Sequence, residues 1–392
     1  MQPKSINSRF KPTPKKFLKW IVISLLFLFV LSYIIFKSSF VQTIICRKVG
    51  SYLSKKTETT ITIKEVDFHP FDAFVLKNIL VLDHQKDTML FAHDFYFEIN
   101  DYDFKKLSFD FDLVELNDAF INITTYENEQ KSNLSRFIHK LIKKDNLKRT
   151  KRPEITIKEI EFENLRCKIR NKNFLFDRNR VDFNHLELSN IYLEATDFSF
   201  TKNTIKANTN LISFKERSGL ELLSISGEFK MDNKELMVKH LEIETDESDI
   251  NGNVRLGYDN FNSFNNFFKE VTMETNFEET KISSNDVAYF IKTLKGLNQS
   301  ITFQGDINGT ITDLKAENLK FSYGELTHFD GEIEFNGLGI LSNPIIKAKI
   351  TNLITFEKDI KDIPIPPFNA GKKIKTPKWM SKVGKMEFKG DF

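Results

Sequence analysis

The chain has 392 residues, 40% hydrophobic and 28% charged, so it holds enough apolar material for a sizeable core and too much for wholesale disorder. Its net charge of +3 excludes the strong one-signed field used to bind nucleic acid or acidic substrates. Phe is abundant, 39 against 15 Gly and 10 Pro, and Phe favours pleated, half-buried surfaces.

A basic tail, residues 1–16, opens the chain, and an uncharged run, Trp20-IVISLLFLFVLSYII-Phe36, follows it. With Phe17 and Leu18 the run supplies the ~20 residues that cross a ~30 Å hydrocarbon core. No small-residue cleavage pattern follows it, so residues 17–36 are expected to form an uncleaved transmembrane signal anchor, with Trp20, Leu25, Phe29, Tyr33 and Phe36 among its anchoring side chains. Lys4, Arg9, Lys11, Lys15, Lys16 and Lys19 precede the run, whereas only Lys37, Arg47 and Lys48 follow closely. The positive-inside rule therefore puts the N-terminus in the cytoplasm and the body across the membrane. In the juxtamembrane segment, 37–58, Val41, Ile44, Ile45, Val49 and Leu53 recur at helical spacing.

Beyond residue 58 the dominant period is two. Phe95, Phe97 and Ile99 alternate with polar residues, as do Leu107, Phe109, Phe111 and Leu113. The same holds for Ile225, Phe229 and Met231, for Ile301–Ile311, and for Ile333 and Phe335. One greasy and one wet face per strand is an antiparallel habit. Residues 59–130 form a first β unit, and 153–362 form the larger β region. Ile61-TIKEVD-Phe68 echoes Ile155-TIKEIE-Phe162, and a second strand-rich stretch follows each, at 76–82 and 186–193. Repeated β units sharing an apolar face are how elongated sheets grow.

Two short amphipathic helices are expected among the strands. The first, 133–144 within the segment 131–152, presents Leu134, Phe137, Ile138, Leu141 and Ile142, with a basic loop after it. Such a helix suits an anionic bilayer surface or a lid packed on the sheet, and the lid is the simpler expectation. The second, about 285–295, has Ser284 as N-cap, a stripe of Val287, Phe290, Ile291 and Leu294, and Gly296 at C′. Residues 363–378 read as a Pro-rich linker, and 379–392 as the start of a further β unit expected to continue beyond Phe392.

No catalytic constellation stands out. The histidines are scattered, with no H-E-x-x-H, no G-x-S-x-G and no Walker-type loop, so no enzyme activity, cofactor or metal is expected. Asp101, Asp103, Asp110 and Asp112 fit the polar face of strands better than a metal or acid pair. Gly252, Gly305, Gly309, Gly331 and Gly337 read as strand bends or bulges. Cys46 and Cys167 make no disulfide framework; Cys46 lies where lipidation is possible, and an idle thiol is the plainer reading of both.

The basic tail, single anchor and phrases such as Phe74-VLKNILVL-Asp83 resemble the N-terminal part of the AsmA-like family, in particular its TamB-like (translocation and assembly module) members of Bacteroidota type. Gly305-DINGTITDLKAENLK-Phe321 is similar to that family's repeated strand phrases. The resemblance implies an elongated, taco-shaped β-groove, anchored in the bacterial inner membrane with its body in the periplasm. It also implies conduction of phospholipids between the two membranes and a part in outer-membrane biogenesis. The partners it implies are the inner membrane, phospholipid acyl chains and an outer-membrane β-barrel of the assembly machinery. Groove candidates, taken from the alternation, are Phe95, Phe97, Leu107, Phe109, Phe111, Ile301, Phe303 and Ile333. The leading alternative is a scaffold that assembles outer-membrane or secreted proteins through strand edges; a compact cell-surface adhesin is a further one.

Overall fold

The computed structural model describes residues 39–69, 73–103, 105–142, 153–178, 180–337 and 345–392. The expected anchor at 17–36 lies outside the described residues, and no helix among them is long and apolar enough to cross a membrane. The chain is mainly β. Sixteen strands form one sheet whose spatial order follows the sequence from β1 to β16 without closing. In order these are Thr60–His69, Ala73–Leu82, Thr88–Asp103, Ser108–Thr125, Glu154–Asn171, Glu187–Thr201, Thr204–Glu216 and Glu221–Met231 for β1 to β8. Glu235–Thr245, Asp249–Gly257, Thr272–Ser283, Ser300–Gly309, Asp313–Tyr323, Thr327–Asn336, Ile345–Thr355 and Met386–Asp391 are β9 to β16.

Antiparallel pairing, as expected, joins all neighbours but one: β4 and β5 run parallel. A parallel pair needs a crossover, and residues 126–153 supply it. The echoed octapeptides each open a strand that follows a helix: β1 follows α1 (Ser39–Thr57), and β5 follows α2 (Asn133–Ile142) and the crossover. The last strand, β16, pairs with β15 and so belongs to the same sheet.

Helix α1 lies along the free edge of β1. The Ser54 hydroxyl accepts the Ile61 N–H at 2.8 Å, and the Thr43 hydroxyl accepts that of Val66 at 3.3 Å. Both hydroxyls occupy edge positions that would otherwise invite another strand. Helix α2 rests on the sheet as the lid reading expected. Its Leu134 and Phe137 pack on a buried cluster of Ile79, Val81, Met89, Ala92, Ala119 and Leu165.

The helix expected at 285–295 is much shorter. Ser283, not Ser284, caps α4 (Ser284–Ala288), its hydroxyl accepting the Asn285 N–H, and α4 itself follows a short α3 (Phe267–Glu270). A 3₁₀ turn, Lys292–Leu294, comes next. The break has a tertiary cause. The Tyr289 carbonyl accepts the Val181 N–H, the Tyr289 hydroxyl donates to the Gly219 carbonyl, and Phe290 stacks on Phe183 at 6.2 Å. These bonds hold Tyr289 and Phe290 outward, and Ile291 turns extended at φ −116, ψ 91.

A polar hub closes the sheet margin at each end. Asp83, buried, accepts the N–H groups of Gln85 and Asp87, the Tyr126 hydroxyl at 2.7 Å and the Asn133 amide at 2.9 Å. Burial pushes the Asp83 carboxyl up, but these hydrogen bonds outweigh it and hold the group below the usual carboxylate range. Asp359, on α5 (Glu357–Asp362), accepts the Glu325 and Leu326 N–H groups and the Thr327 hydroxyl. There too burial is outweighed by the hydrogen bonds, and the carboxyl is held low.

Candidate functional site: an apolar face without a second layer

Directly opposed residues of neighbouring strands lie on one face of a sheet. The register therefore traces apolar rows across the molecule. One row runs Val66, Leu76, Phe95, Leu116, Phe162, Leu193, Ile212, Ile225, Ile243 and Ile250, from β1 to β10 without a polar residue. Another runs Phe109, Ile155, Phe200, Ile205, Met231, Leu236, Leu256 and Met273, then Gly309, Leu314, Phe335 and Ile346, from β4 to β15. A third joins Phe303, Phe321, Phe329, Leu353 and Phe388 across β12 to β16. Ring contacts mark the same face: Phe74 stacks on Phe97 at 5.0 Å, Phe97 meets Phe111 edge-on at 5.9 Å, and Phe321 stacks on Phe329 at 4.7 Å.

Along a strand the apolar residues do not alternate strictly, and each break would send the residues after it to the other face. The strands correct this with bulges. On β5 the inward residues are Ile155, Ile157, Ile160, Phe162, Leu165 and Cys167, so an extra residue enters twice. On its parallel partner β4 they are Phe109, Phe111, Val114, Leu116, Ala119 and Ile121, skipping in step. Left-handed residues mark the second skip: Asp118 at φ 50 and Asn164 at φ 53, whose side chains hydrogen-bond to each other. The series of left-handed strand residues continues through Asn190, His240, Gly252 and Asn318. Gly252 needs both its freedoms there: φ is +151, and a Cβ would stand 2.2 Å from the Asn276 carbonyl oxygen. Register shifts at Gly252, Gly305 and Gly331 agree with the expected bulges, while Gly309 ends β12 and Gly337 follows β14. Bulges of this kind bend a strand and raise its twist.

Most of this apolar face is only half buried. Phe198, Phe200, Ile205, Phe229, Met231, Leu236, Leu256 and Met273 are all intermediate in exposure. The reason is architectural: all sixteen strands belong to one sheet, so among the described residues there is no second sheet to cover the first. A sandwich would bury the same side chains completely. Buried clusters occur toward the two ends, under α2 and around Ala316, Leu319 and Phe329.

Seven of the eight groove candidates lie on this face as half-buried side chains. Phe95 packs on the N-terminal cluster, and Phe97 and Phe111 join the aromatic contacts beside it. Phe109 begins its long row on β4, Phe303 and Ile333 pack on the C-terminal cluster, and Ile301 opposes Ile282 and Tyr323. Leu107 is the exception. It precedes β4 in a turn at φ 58, and its carbonyl accepts the Glu154 N–H. Leu113 also departs from the alternation, because the bulge at Asp112 passes the inward place to Val114. Alternation missed Ile160, Phe162 and Leu193 for the same reason; the signal that finds them is the spacing apolar-x-apolar-x-x-apolar.

The opposite face is polar. Asp306 accepts amides from Asn276 and Asn318, which hold its carboxyl low, and Arg255 bridges Glu235 and Glu274. Asp110, one of the acidic strand residues, accepts from the Asn100 amide and the Thr156 hydroxyl. Among the described residues no three His, Cys, Asp or Glu side chains gather as a metal site. Cys167 is free, and burial pushes its thiol up; the side chain of Cys46 lies outside the described residues. No family model, curated protein or solved structure matches the chain.

Proposed function

We propose that the apolar face carries phospholipid acyl chains, and that the protein is a non-enzymatic lipid conduit anchored at one membrane and reaching toward another. One observation carries this reading: apolar rows cross up to twelve strands while their side chains stay half exposed. A face of that length needs an apolar occupant, and each methylene laid on it is worth ~0.8 kcal/mol. The bulged strands favour a curved, groove-like sheet over a flat one. The resemblance to AsmA-like, TamB-like proteins supports the same reading, with an inner-membrane anchor, a periplasmic body and an outer-membrane β-barrel as the far partner.

The test is to place a charge on the face at Phe303 or Phe109 and measure phospholipid that co-purifies with the full chain by mass spectrometry. Loss of lipid from a Phe303→Asp variant with an unchanged circular dichroism spectrum is the expected result. Full lipid occupancy in that folded variant would remove the groove. A second reading, a scaffold that extends client strands by edge pairing, is the alternative that the same lipid measurement separates. It predicts a bound protein and no bound lipid.

A further inference from the structure

Beyond the groove face, the sheet carries an exposed apolar patch on one margin. The ends of β5, β7 and β11 all emerge on that margin, because these strands run in the same direction. Their connections are tied together. Val181 donates its N–H to the Tyr289 carbonyl at 2.8 Å, Tyr289 reaches Gly219 at 3.1 Å, and Arg217 lies over the Phe176 ring at 3.9 Å. The Phe183–Phe290 stack joins the first connection to the third. What this assembly shows to solvent is apolar: Leu175 is 98% exposed, Phe183 70% and Phe174 56%, with Phe176, Phe290 and Ile291 also exposed. None of them belongs to the apolar rows of the strands.

Cations accompany the rings. Arg178 and Arg217 both sit over Phe176, Arg180 is held by Asp177 at 3.2 Å, and Lys292 and Lys295 line a recess of about 1170 Å³ beside Tyr289. A contiguous patch of exposed aromatic and aliphatic side chains is rare on a soluble surface and marks a contact site. Apolar tips with arginine and lysine around them match the boundary of an anionic bilayer, where rings enter the acyl region and cations meet phosphate. The tips here stand on irregular connections and project outward.

We infer that the Leu175–Phe183–Phe290 patch is a peripheral docking surface for an anionic phospholipid bilayer, separate from the groove face. The full chain, held in phosphatidylcholine nanodiscs so that any anchor is already satisfied, is mixed with vesicles of phosphatidylcholine alone or with phosphatidylglycerol added. Binding is read by co-flotation. The expected result is capture of the phosphatidylglycerol vesicles, weakened roughly tenfold by Leu175→Asp and about fivefold by Lys292→Gln, and reduced by added salt. Both sites are surface positions, so loss of fold would not explain the effect. Lipid co-purifying with Leu175→Asp is expected to be unchanged, whereas Phe303→Asp loses it; this separates the patch from the groove. Equal vesicle binding by wild type and Leu175→Asp would overturn the inference. So would loss of bound lipid in Leu175→Asp, which would assign the patch to the groove, and so would crosslinking of Leu175→Cys to a protein without any vesicle binding.

Discussion

At β1 the free edge of the sheet meets α1, whose Ser54 and Thr43 hydroxyls accept the Ile61 and Val66 N–H groups, and α2 covers the adjoining apolar face with Leu134 and Phe137. At β16 no further strand meets the outer edge among the described residues; Phe388 is 43% exposed and Phe392 71%. Both ends use the same strand chemistry and the same kind of aspartate hub, yet among the described residues only the first has helices over its edge and face. The difference teaches that the sheet is stabilised strand by strand. Each strand gains from its neighbours, as in repeat architectures, and an end is only as firm as its cover. At the N-terminal end, α1 occupies the edge of β1 that a further strand would otherwise pair with.

The largest expected effects break the two hubs. Asp83→Ala removes the acceptor of the Gln85 and Asp87 N–H groups and of one Asn133 amide hydrogen, leaves the Tyr126 hydroxyl only Asp87, and is expected to destabilise the N-terminal strands by about 3–4 kcal/mol. Asp359→Ala leaves the Glu325 and Leu326 N–H groups unmet and the Thr327 hydroxyl with Thr355 alone, and is expected to cost about 2–3 kcal/mol, felt in β13 to β15. Amide exchange by mass spectrometry reads where each loss is felt. If either variant raised exchange along the whole sheet, strand-by-strand stability would be wrong. Acid should act on the same hubs. Both carboxyls are held low in the fold, so their contribution is present above the unfolded value near pH 4 and is lost as pH falls through the lower folded one. An acid titration of exchange should therefore open turns 83–87 and 324–327 below about pH 4 and not above it.

Core truncation comes next. Leu165, 3% exposed in the N-terminal cluster, is expected to lose about 3 kcal/mol on change to Ala. Phe388→Ala, at the exposed edge, should lose under about 1 kcal/mol. Equal losses would mean that β16 is covered in solution by something outside the described residues. The edge hydroxyls come below these. Ser54→Ala frees the Ile61 N–H and should cost about 1 kcal/mol, seen as faster exchange at Ile61 with little change beyond β2.

These contrasts also show what the sequence could and could not disclose. Mainly-β architecture was legible, since period two runs through Phe95–Ile99 and Ile301–Ile307. Most of the apolar face was legible too, but only up to each bulge. Ile61-x-Ile63-x-x-Val66 and Ile155-x-Ile157-x-x-Ile160 keep one face across an extra residue, whereas strict alternation sends Val66 and Ile160 to the other side. Leu107 and Leu113 were misplaced by the same rule. The helix at 285–295 was over-extended because its stripe residue Phe290 is spent on Phe183, a partner more than a hundred positions away that no local pattern announces. The parallel pairing of β4 and β5 follows from a helical crossover, and nothing in the strands themselves encodes it.

On the polar face the two ends differ in the sign of their cross-strand charge pairs, and the expected effects are the smallest. On β4 and β5, Glu115 stands directly opposite Glu161. Burial raises the Glu115 carboxyl, and the charges of Glu161 and Glu98 raise it further. On β14 and β15, Glu332 opposes Lys349 and Glu334 opposes Lys347. A carboxyl raised in the fold disfavours the native state where the group is ionised. That penalty applies at neutral pH and fades as pH falls through the raised value toward the unfolded one near pH 4. Glu115→Gln is therefore expected to stabilise the N-terminal strands at pH 7 by a few tenths of a kcal/mol, and to leave them unchanged below about pH 4. Lys349→Gln should do the reverse at pH 7, costing a few tenths through loss of an exposed pair. Paired exchange measurements on the two variants at both pH values decide the point. If Glu115→Gln destabilised at pH 7, the carboxylate would have a favourable partner there, and the like-charge row would be misread.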